Sequence, residues 1–443
     1  MQNQGIRDAR SLGTPKLLVL GLQHMFAMFG ATVLVPALTG LSVSATLLFA
    51  GLGTLFFHFV TKGKVPAFLG SSFAYLAGYA AIAPNGEAAL LPYACVGVAA
   101  SGLLYLILAA LVHGFGANRV MRFFPPVVTG PIIICIGMTL ANSAINNCTG
   151  SWDIALVAIL TVVIFNIWGK GMLRIIPILL GVLVSYVYAA VTGRVDFSGV
   201  ASAAWIGLPV KMENTVFSLI GNCDANLLVT AIIAIMPIAF ATMIEHIGDI
   251  CAISSTVGAN FIADPGLHRT LLGDGLATSI ASLFGAPANT TYGENTGVLA
   301  LTRVYDPLVI RLAAVYAIIA SFCPKFAALV SAMPTGTIGG VSLILYGMIS
   351  AIGVRNLVEN RVDLAKSRNV IVVSLIISLA LGITFSAAGA ITFHVGEFTL
   401  NFSGLAVAAI VGIVVNAILP GKDYNFQNDY EYGKTTEDHG QML

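Results

Sequence analysis

Long apolar stretches, separated by short clusters of charged residues, constrain the fold of this chain more than any other feature of the sequence. About 20 apolar residues are enough for a helix to cross a bilayer. We identify fourteen stretches of this kind, at 15–38, 44–61, 67–82, 90–113, 123–142, 152–169, 174–192, 226–247, 267–284, 287–301, 308–330, 333–353, 369–388 and 400–420. The sequence therefore predicts an all-α polytopic membrane protein with fourteen transmembrane segments.

The positions of the basic residues give an independent test of this count. Loops on the cytoplasmic side of a membrane are enriched in Lys and Arg. If the N-terminus is cytoplasmic, all 21 basic residues except Arg194, Lys211 and Lys325 fall on the cytoplasmic side. This distribution predicts an even number of segments and places both termini in the cytoplasm.

The composition argues against several other classes of protein. A net charge of +1 gives no argument for a nucleic-acid partner. The six cysteines show no paired spacing, and we find no metal-ligand cluster, phosphate loop or nucleophile–base arrangement. We therefore expect a protein surrounded by lipid that has no metal, no cofactor and no enzymatic activity.

Three short motifs recur in the same order at about half the chain length. The matching pairs are 23–24 with 245–246, 70–73 with 289–292, and 125–130 with 334–339. Two halves of seven segments each would enter the membrane from opposite sides, because seven is odd. Such a 7+7 inverted repeat is a common plan of secondary transporters, in which the site lies near the midplane.

Segments 3 and 10 are short and combine glycine with a pair of hydroxyl residues. The pair is Ser71-Ser72 in the first case and Thr290-Thr291 in the second. The β-branched threonines after Pro287 favour extended backbone over helix. We therefore predict two short β-strands that pair at the centre of the protein, each leading into a half-helix whose N–H groups face the centre.

The acidic residues Glu245, Asp249 and Glu294 lie in or beside the apolar stretches of the second half of the chain. A carboxylate at bilayer depth costs about 2.5 kcal/mol or more, so such a residue is by default part of a functional site. The neighbouring histidines, His24 and His246, are interpreted as packing residues. The three acids indicate a proton-coupled transporter.

The aromatic residues Phe73, Tyr292 and Tyr346 lie in the same segments as the acids or near them. Backbone donors, carboxylate acceptors and flat rings together suit a flat, neutral ring with alternating C=O and N–H groups. Uracil has such an edge, whereas an inorganic anion would be repelled by the carboxylates.

The segment from Glu294 to Arg303, ENTGVLALTR, is similar to the signature of the nucleobase–ascorbate transporter family, also called the nucleobase:cation symporter-2 family. Blocks at 23–30, 66–73 and 245–248 resemble the same family. Glu294 resembles the uracil permease branch, because xanthine and urate members usually carry glutamine at this position. The resemblance extends from about residue 15 to residue 420.

This resemblance implies alternating access between a core domain and a gate domain, proton-coupled import of uracil and a homodimer in the bacterial inner membrane. The implied ranges are 1–115 and 221–331 for the core, 116–220 and 332–420 for the gate, and 421–443 for a cytoplasmic tail.

The resemblance also assigns roles to residues by their positions in the motifs. Glu245 and Glu294 are expected to hydrogen-bond the base, and the backbone N–H groups of Phe73 and Gly293 to meet its carbonyls. The side chains of Tyr292 and Tyr346 are expected to line the pocket.

Asp249 differs from the histidine that some uracil symporters carry at the same place. It lies one helical turn after Glu245, and two adjacent carboxylates cannot both ionise cheaply. We expect Glu245 and Asp249 to replace a glutamate–histidine relay as the proton carrier, with Glu294 as the further candidate for proton coupling.

Three alternatives stay open at this point. A purine symporter of the same family, for xanthine or guanine, would differ only in the detail of its pocket. An anion transporter of the same fold would not need Glu245 and Glu294. An intramembrane enzyme is the alternative least consistent with the sequence, since Glu245-His246 lacks both an HExxH motif and a nucleophile partner.

Overall fold

A computed structural model of the chain describes residues 5–221, 223–395 and 398–422, without the side chains of residues 172, 175, 294, 394, 395 and 398–400. Most of the predicted tail, from 423 to 443, therefore lies outside the described residues. The described chain is mostly helical. Its α-helices are α1 Thr14–Thr39, α2 Val43–Val60, α3 Leu76–Ile82, α4 Leu91–Phe115, α5 Ala117–Met121, α6 Pro126–Cys148, α7 Trp152–Trp168, α8 Met172–Ile175, α9 Pro177–Val191, α10 Ser198–Ser202, α11 Ala225–Ile235, α12 Ala239–Val257, α13 Leu267–Leu283, α14 Gly293–Thr302, α15 Pro307–Ser321, α16 Pro324–Ser331, α17 Thr335–Glu359, α18 Ser367–Thr384 and α19 Gly404–Ile418.

The strands form two small antiparallel pairs. β1 Leu69–Ser71 lies in the third apolar stretch and pairs with β2 Asn289–Thr291 in the tenth, with Gly70 opposite Thr290. β3 Ala390–Val395 and β4 Phe398–Ser403 form a hairpin between α18 and α19.

Among the described residues, seven helical segments are long and apolar enough to cross a membrane, and the bent pair α15–α16 makes an eighth if it is counted as one span. The seven are α1, α2, α4, α6, α11 together with α12, α17 and α18; the helices α7, α9 and α19 are apolar but shorter. Apolar side chains also face outward in helical rows, as with Leu103, Ile107 and Leu111 on α4. Together these features describe a multi-pass membrane protein.

Proline breaks two of the long apolar stretches. Pro237 lies in the short turn Met236–Ile238, which separates α11 from α12. Pro324 begins α16, which makes an angle of 88° with α15. Proline has no backbone N–H donor, which accounts for the interruption at Pro237, where Met236 itself keeps helical backbone angles. Before Pro324 the residue Cys323 is extended, as proline favours for the residue that precedes it.

The eighth and fourteenth predicted segments differ from the observed helices in their bounds. The eighth continues through α12 to Val257, ten residues beyond the predicted end at 247. The fourteenth was predicted as helix from residue 400, which is wrong for its first four residues because they belong to β4. The helix starts only at Gly404, where the Ser403 side chain accepts a hydrogen bond from the backbone N–H of Ala406.

Glycines allow α6 and α17 to approach each other closely. A Cβ atom added to Gly137 would lie 2.2 Å from the backbone oxygen of Tyr346, and one added to Gly339 would lie 2.8 Å from the backbone oxygen of Ala144. Both distances are shorter than a van der Waals contact. The backbone of Tyr346 is therefore held in place by its contact with α6.

A short N-terminal segment lies across one end of the helices. Ile6 exchanges backbone hydrogen bonds of 2.8 Å with Arg303 and Tyr305, just after α14. The side chain of Asp306 accepts a hydrogen bond from the backbone N–H of Ala9 at 2.8 Å. The start of α15 therefore lies at the same end of the molecule as the N-terminal segment.

Candidate functional site

The β1–β2 pair is buried, and polar groups from α2 and α13 hold it in place. The hydroxyl of Thr54 accepts a hydrogen bond from the N–H of Leu69 at 2.9 Å. The amide of Asn289 donates to the backbone oxygen of Phe49 at 2.9 Å, and its backbone oxygen accepts from the Thr278 hydroxyl at 2.6 Å. These contacts provide hydrogen-bond partners for the extended backbone, as is required within a bilayer, where water is not available.

Each strand of this pair leads into a helix. α3 begins five residues after Ser71, and α14 begins two residues after Thr291. Since the strands are antiparallel, the two helices leave the pair in opposite directions, each with its N-terminus towards it. The first N–H groups of a helix have no acceptor within the helix, so both N-termini offer hydrogen-bond donors beside the strands.

Helix α12 passes the start of α14 and contributes two half-buried acids, Glu245 and Asp249. The Thr291 hydroxyl donates a hydrogen bond to a carboxylate oxygen of Asp249 at 2.9 Å. The other oxygen of Asp249 lies 3.7 Å from the place that a Cβ on Gly293 would occupy. The acid therefore lies at the positive end of the α14 dipole, and Glu245 lies one turn earlier on the same helix.

Two of the predicted aromatic residues form a buried pair. The rings of Phe73 and Tyr346 meet edge to face, with centroids 5.8 Å apart. Phe73 follows β1, and Tyr346 belongs to α17. This contact joins the strand pair to α17, whose position depends on the glycines that face α6.

Tyr292 is buried against the strand pair. Its hydroxyl donates to the backbone oxygen of Ser71 at 2.9 Å and accepts from the Thr32 hydroxyl at 3.3 Å. A Cβ on Gly70 would lie 2.5 Å from this ring, so glycine is required there. The structure thus places Tyr292 as a link between β1, β2 and α1.

Gly293 and Glu294 are the first two residues of α14. Glu294 is therefore at the N-terminal end of a half-helix, while its side chain lies outside the described part of the chain. The next residue, Asn295, is buried and donates from its side chain to the backbone oxygen of His24 at 3.2 Å. His24 is fully buried at this contact, which joins α14 to α1.

A fourth acid, Asp274, was not identified from the sequence. It lies on α13 with no exposed surface, and its carboxylate is 3.2 Å from Nδ1 of His246, which is equally buried. The rings of Phe57 and Tyr105 surround His246 edge-on, at 6.3 and 6.5 Å between centroids. His246 is thus a packing residue that pairs α12 with α13. Asp274 could have been identified from the sequence, because it is an acid within the apolar stretch 267–284.

Around the strand pair, the described residues bring together two carboxylates, two helix N-termini and two aromatic rings. This arrangement can bind a small ring with donors and acceptors along its edge. Among the described residues, no group of three or more His, Cys, Asp or Glu side chains is arranged to hold a metal ion.

Comparison with known solved structures relates this fold to two transporters. The transmembrane domain of the bicarbonate transporter BicA, from a cyanobacterium, superposes with a TM-score of 0.62 at 13% identity over 94% of this chain and 100% of that one. SLC26A9 superposes with a TM-score of 0.64 at 12% identity over 93% of this chain and 66% of that one. At such low identity the likeness concerns the fold alone.

Comparison of sequences gives much closer relatives. The uracil permease of Bacillus caldolyticus is 42% identical over 96% of this chain and 96% of its own length. The uracil permease of Bacillus subtilis is 40% identical over 99% of this chain and 98% of its length. That of Escherichia coli K12 is 38% identical over 90% of both chains.

A family model described as the Permease family matches residues 15–389, which include the strand pair, α12 and α14. The resemblance to nucleobase transporters that the motifs indicated is therefore confirmed. The chain belongs to the permease family, and it is a membrane transporter and not an enzyme.

Proposed function

We propose that this protein is a uracil:proton symporter that imports uracil by alternating access. The observation that carries the proposal is the 40–42% identity, over nearly the whole chain, to proteins named uracil permease. The chemistry around the strand pair supports it, because helix N-termini and carboxylates complement the alternating C=O and N–H groups of a pyrimidine edge.

The base would bind where β1 leads towards α3 and β2 leads into α14. In this proposal the N–H groups of Phe73 and Gly293 meet its carbonyls, and Glu245 and Glu294 accept from its ring N–H groups. The Phe73–Tyr346 ring pair, with centroids 5.8 Å apart, would limit the site from the side of α17. Tyr292 would act through the strand pair, because its hydroxyl is already bonded to Ser71.

Proton coupling would reside in Glu245, Asp249 and Glu294. Carboxylates that lie one helical turn apart share protons more readily than isolated ones, since ionising both is unfavourable. Protonation of one acid would neutralise the site and allow the loaded domain to move. An Asp249→Asn variant tests this assignment: uptake of uracil should lose its dependence on the proton gradient, and unchanged coupling would remove Asp249 from the mechanism.

We further propose fourteen segments in a 7+7 inverted repeat, in a homodimer of the bacterial inner membrane with both termini cytoplasmic. The core would comprise 1–115 and 221–331, the gate 116–220 and 332–420, and the tail 421–443. Helix contacts support this division: α4 packs on α13 and α2 on α15 within the core, while α6 packs on α17 and α18 on α19 within the gate. Rocking of one domain against the other would expose the site to each side in turn.

Competition experiments in proteoliposomes test the substrate. Labelled uracil should be taken up, unlabelled uracil should compete fully, and xanthine and sulfate should compete weakly or not at all. Full competition by xanthine would favour a purine symporter of the same family. Transport of sulfate or chloride without uracil uptake would favour an anion transporter and overturn the proposal.

A further inference from the structure

The segment between α9 and α11 exposes large apolar side chains that no other part of the described chain covers. Trp205 is 72% exposed, Ile206 84%, Leu208 81% and Ile220 80%. Three of these four lie within four consecutive residues. A patch of this kind on a protein surface indicates a binding partner.

Backbone hydrogen bonds fix this segment to the bend between α15 and α16. The N–H of Gly207 donates to the backbone oxygen of Phe322, and the N–H of Lys325 donates to that of Ala204, both at 3.0 Å. Gly207 also packs so closely on Pro324 that an added Cβ would lie 2.6 Å from the proline ring. The exposed side chains of residues 205–208 are thus held in a defined place.

That place is the end of a membrane helix. α15 starts beside the N-terminal segment and runs for 15 residues, or roughly 22 Å, to the opposite end of the molecule. There the chain turns by 88° into α16, so α16 runs across the end of the helix that precedes it. α10 and the residues after it pack along α16.

The chemistry at this place combines an indole, aliphatic side chains and a cation. The Lys325 ammonium lies 4.9 Å from the centre of the Trp205 ring. Tryptophan concentrates at the membrane–water interface, where its ring lies at the level of the headgroups. A lysine at the same level can approach lipid phosphates while its stem stays on apolar surface.

We propose that residues 204–208 insert into the boundary between headgroups and acyl chains of the leaflet opposite the N-terminus. The partner is the lipid surface itself. The segment would thereby fix the depth of the α15–α16 bend in the bilayer. A second copy of the chain fits less well, because the cation beside Trp205 complements anionic headgroups.

Trp205 can report on its own surroundings, because the chain has only three tryptophans. A Trp152→Phe/Trp168→Phe protein leaves Trp205 as the only indole. After reconstitution into phosphatidylcholine–phosphatidylglycerol vesicles, its fluorescence is measured with lipids brominated near the headgroup or near the chain end, and with iodide in the water. We expect the strongest quenching from bromine near the headgroup and weak quenching by iodide.

A matched variant in the same background replaces Ile206 and Leu208 by serine. Its Trp205 emission should move to longer wavelength, and iodide quenching should increase several-fold. Strong iodide quenching of the unchanged segment would place it in water and overturn the proposal. Weak quenching by both iodide and every brominated lipid would show that protein covers the segment, which would overturn it equally.

Discussion

At the scale of single residues, the hydrogen bond from Thr291 to Asp249 connects the acid-bearing helix α12 to strand β2. Thr290, its neighbour, is also buried, but its hydroxyl has no hydrogen-bond partner among the described residues. The two threonines therefore form a matched pair for testing this contact.

A Thr291→Val substitution keeps the shape of the side chain and removes the donor. We expect it to lower stability by about 1–2 kcal/mol, since the half-buried carboxylate of Asp249 loses a charge-assisted hydrogen bond. Thermal unfolding in detergent measures the effect. Thr290→Val should leave the Tm unchanged or raise it, and an equal fall in both variants would contradict the role given to Thr291.

The buried His246–Asp274 pair makes a second residue-scale prediction. Removing one partner leaves an uncompensated polar group, so His246→Leu or Asp274→Leu should each destabilise the protein by about 3 kcal/mol or more. The double Leu variant should be more stable than at least one single variant. Additive losses across this double-mutant cycle would show that the two side chains act independently.

The sequence could identify functional or paired residues where a residue type, such as an acid, is energetically costly within a membrane. Glu245 and Asp249 were identified because acids in apolar stretches are expensive, and the same argument applies to Asp274. The partner of Asp274 could not be predicted, because it depends on how α12 and α13 pack. The hydrogen bond from Tyr292 to Ser71 likewise depends on the pairing of two strands that lie far apart in sequence.

At the scale of elements, the close contact of α6 with α17 depends on Gly137. A methyl group at this position would meet the backbone oxygen of Tyr346 at 2.2 Å. We expect Gly137→Ala to displace Tyr346, destabilise the protein by about 1–3 kcal/mol and weaken uracil uptake. Thermal unfolding and transport assays measure both effects.

Gly382 on α18 serves as the control, because an added Cβ there meets no atom within 4 Å. Gly382→Ala should be neutral, or stabilising by up to about 1 kcal/mol through helix propensity. Equal losses in the two variants would show that close approach to α17 is not the reason for glycine at 137.

Elements were predictable where hydrophobicity and proline mark them. The apolar stretches locate the long helices, and prolines lie at the breaks after α11 and α15. The β3–β4 hairpin was not predicted, because an apolar window of about 20 residues does not separate a short strand from the helix that follows it. The one sequence signal for a strand is the alternation of polar and apolar residues before Gly404, which the apolar window does not detect.

At the scale of the whole molecule, the distribution of basic residues predicts which loops lie on each side of the membrane. In a variant without native cysteines, a cysteine replaces Ser198 or Ala365, both of which are exposed. An impermeant maleimide should label Ser198→Cys in intact cells and Ala365→Cys only after permeabilisation. Labelling of both positions in intact cells would contradict the proposed topology.

We propose that the acidic site beside the strand pair couples uracil to protons. The most direct test is uptake of labelled uracil into proteoliposomes, with and without an inward proton gradient. The intact protein is compared with Glu245→Gln and with Glu213→Gln, which alters an exposed acid outside the site. We predict gradient-driven uptake by the intact protein and by Glu213→Gln, and its loss in Glu245→Gln. Uptake that does not depend on the gradient, or that persists in Glu245→Gln, would show that this site does not couple uracil to protons.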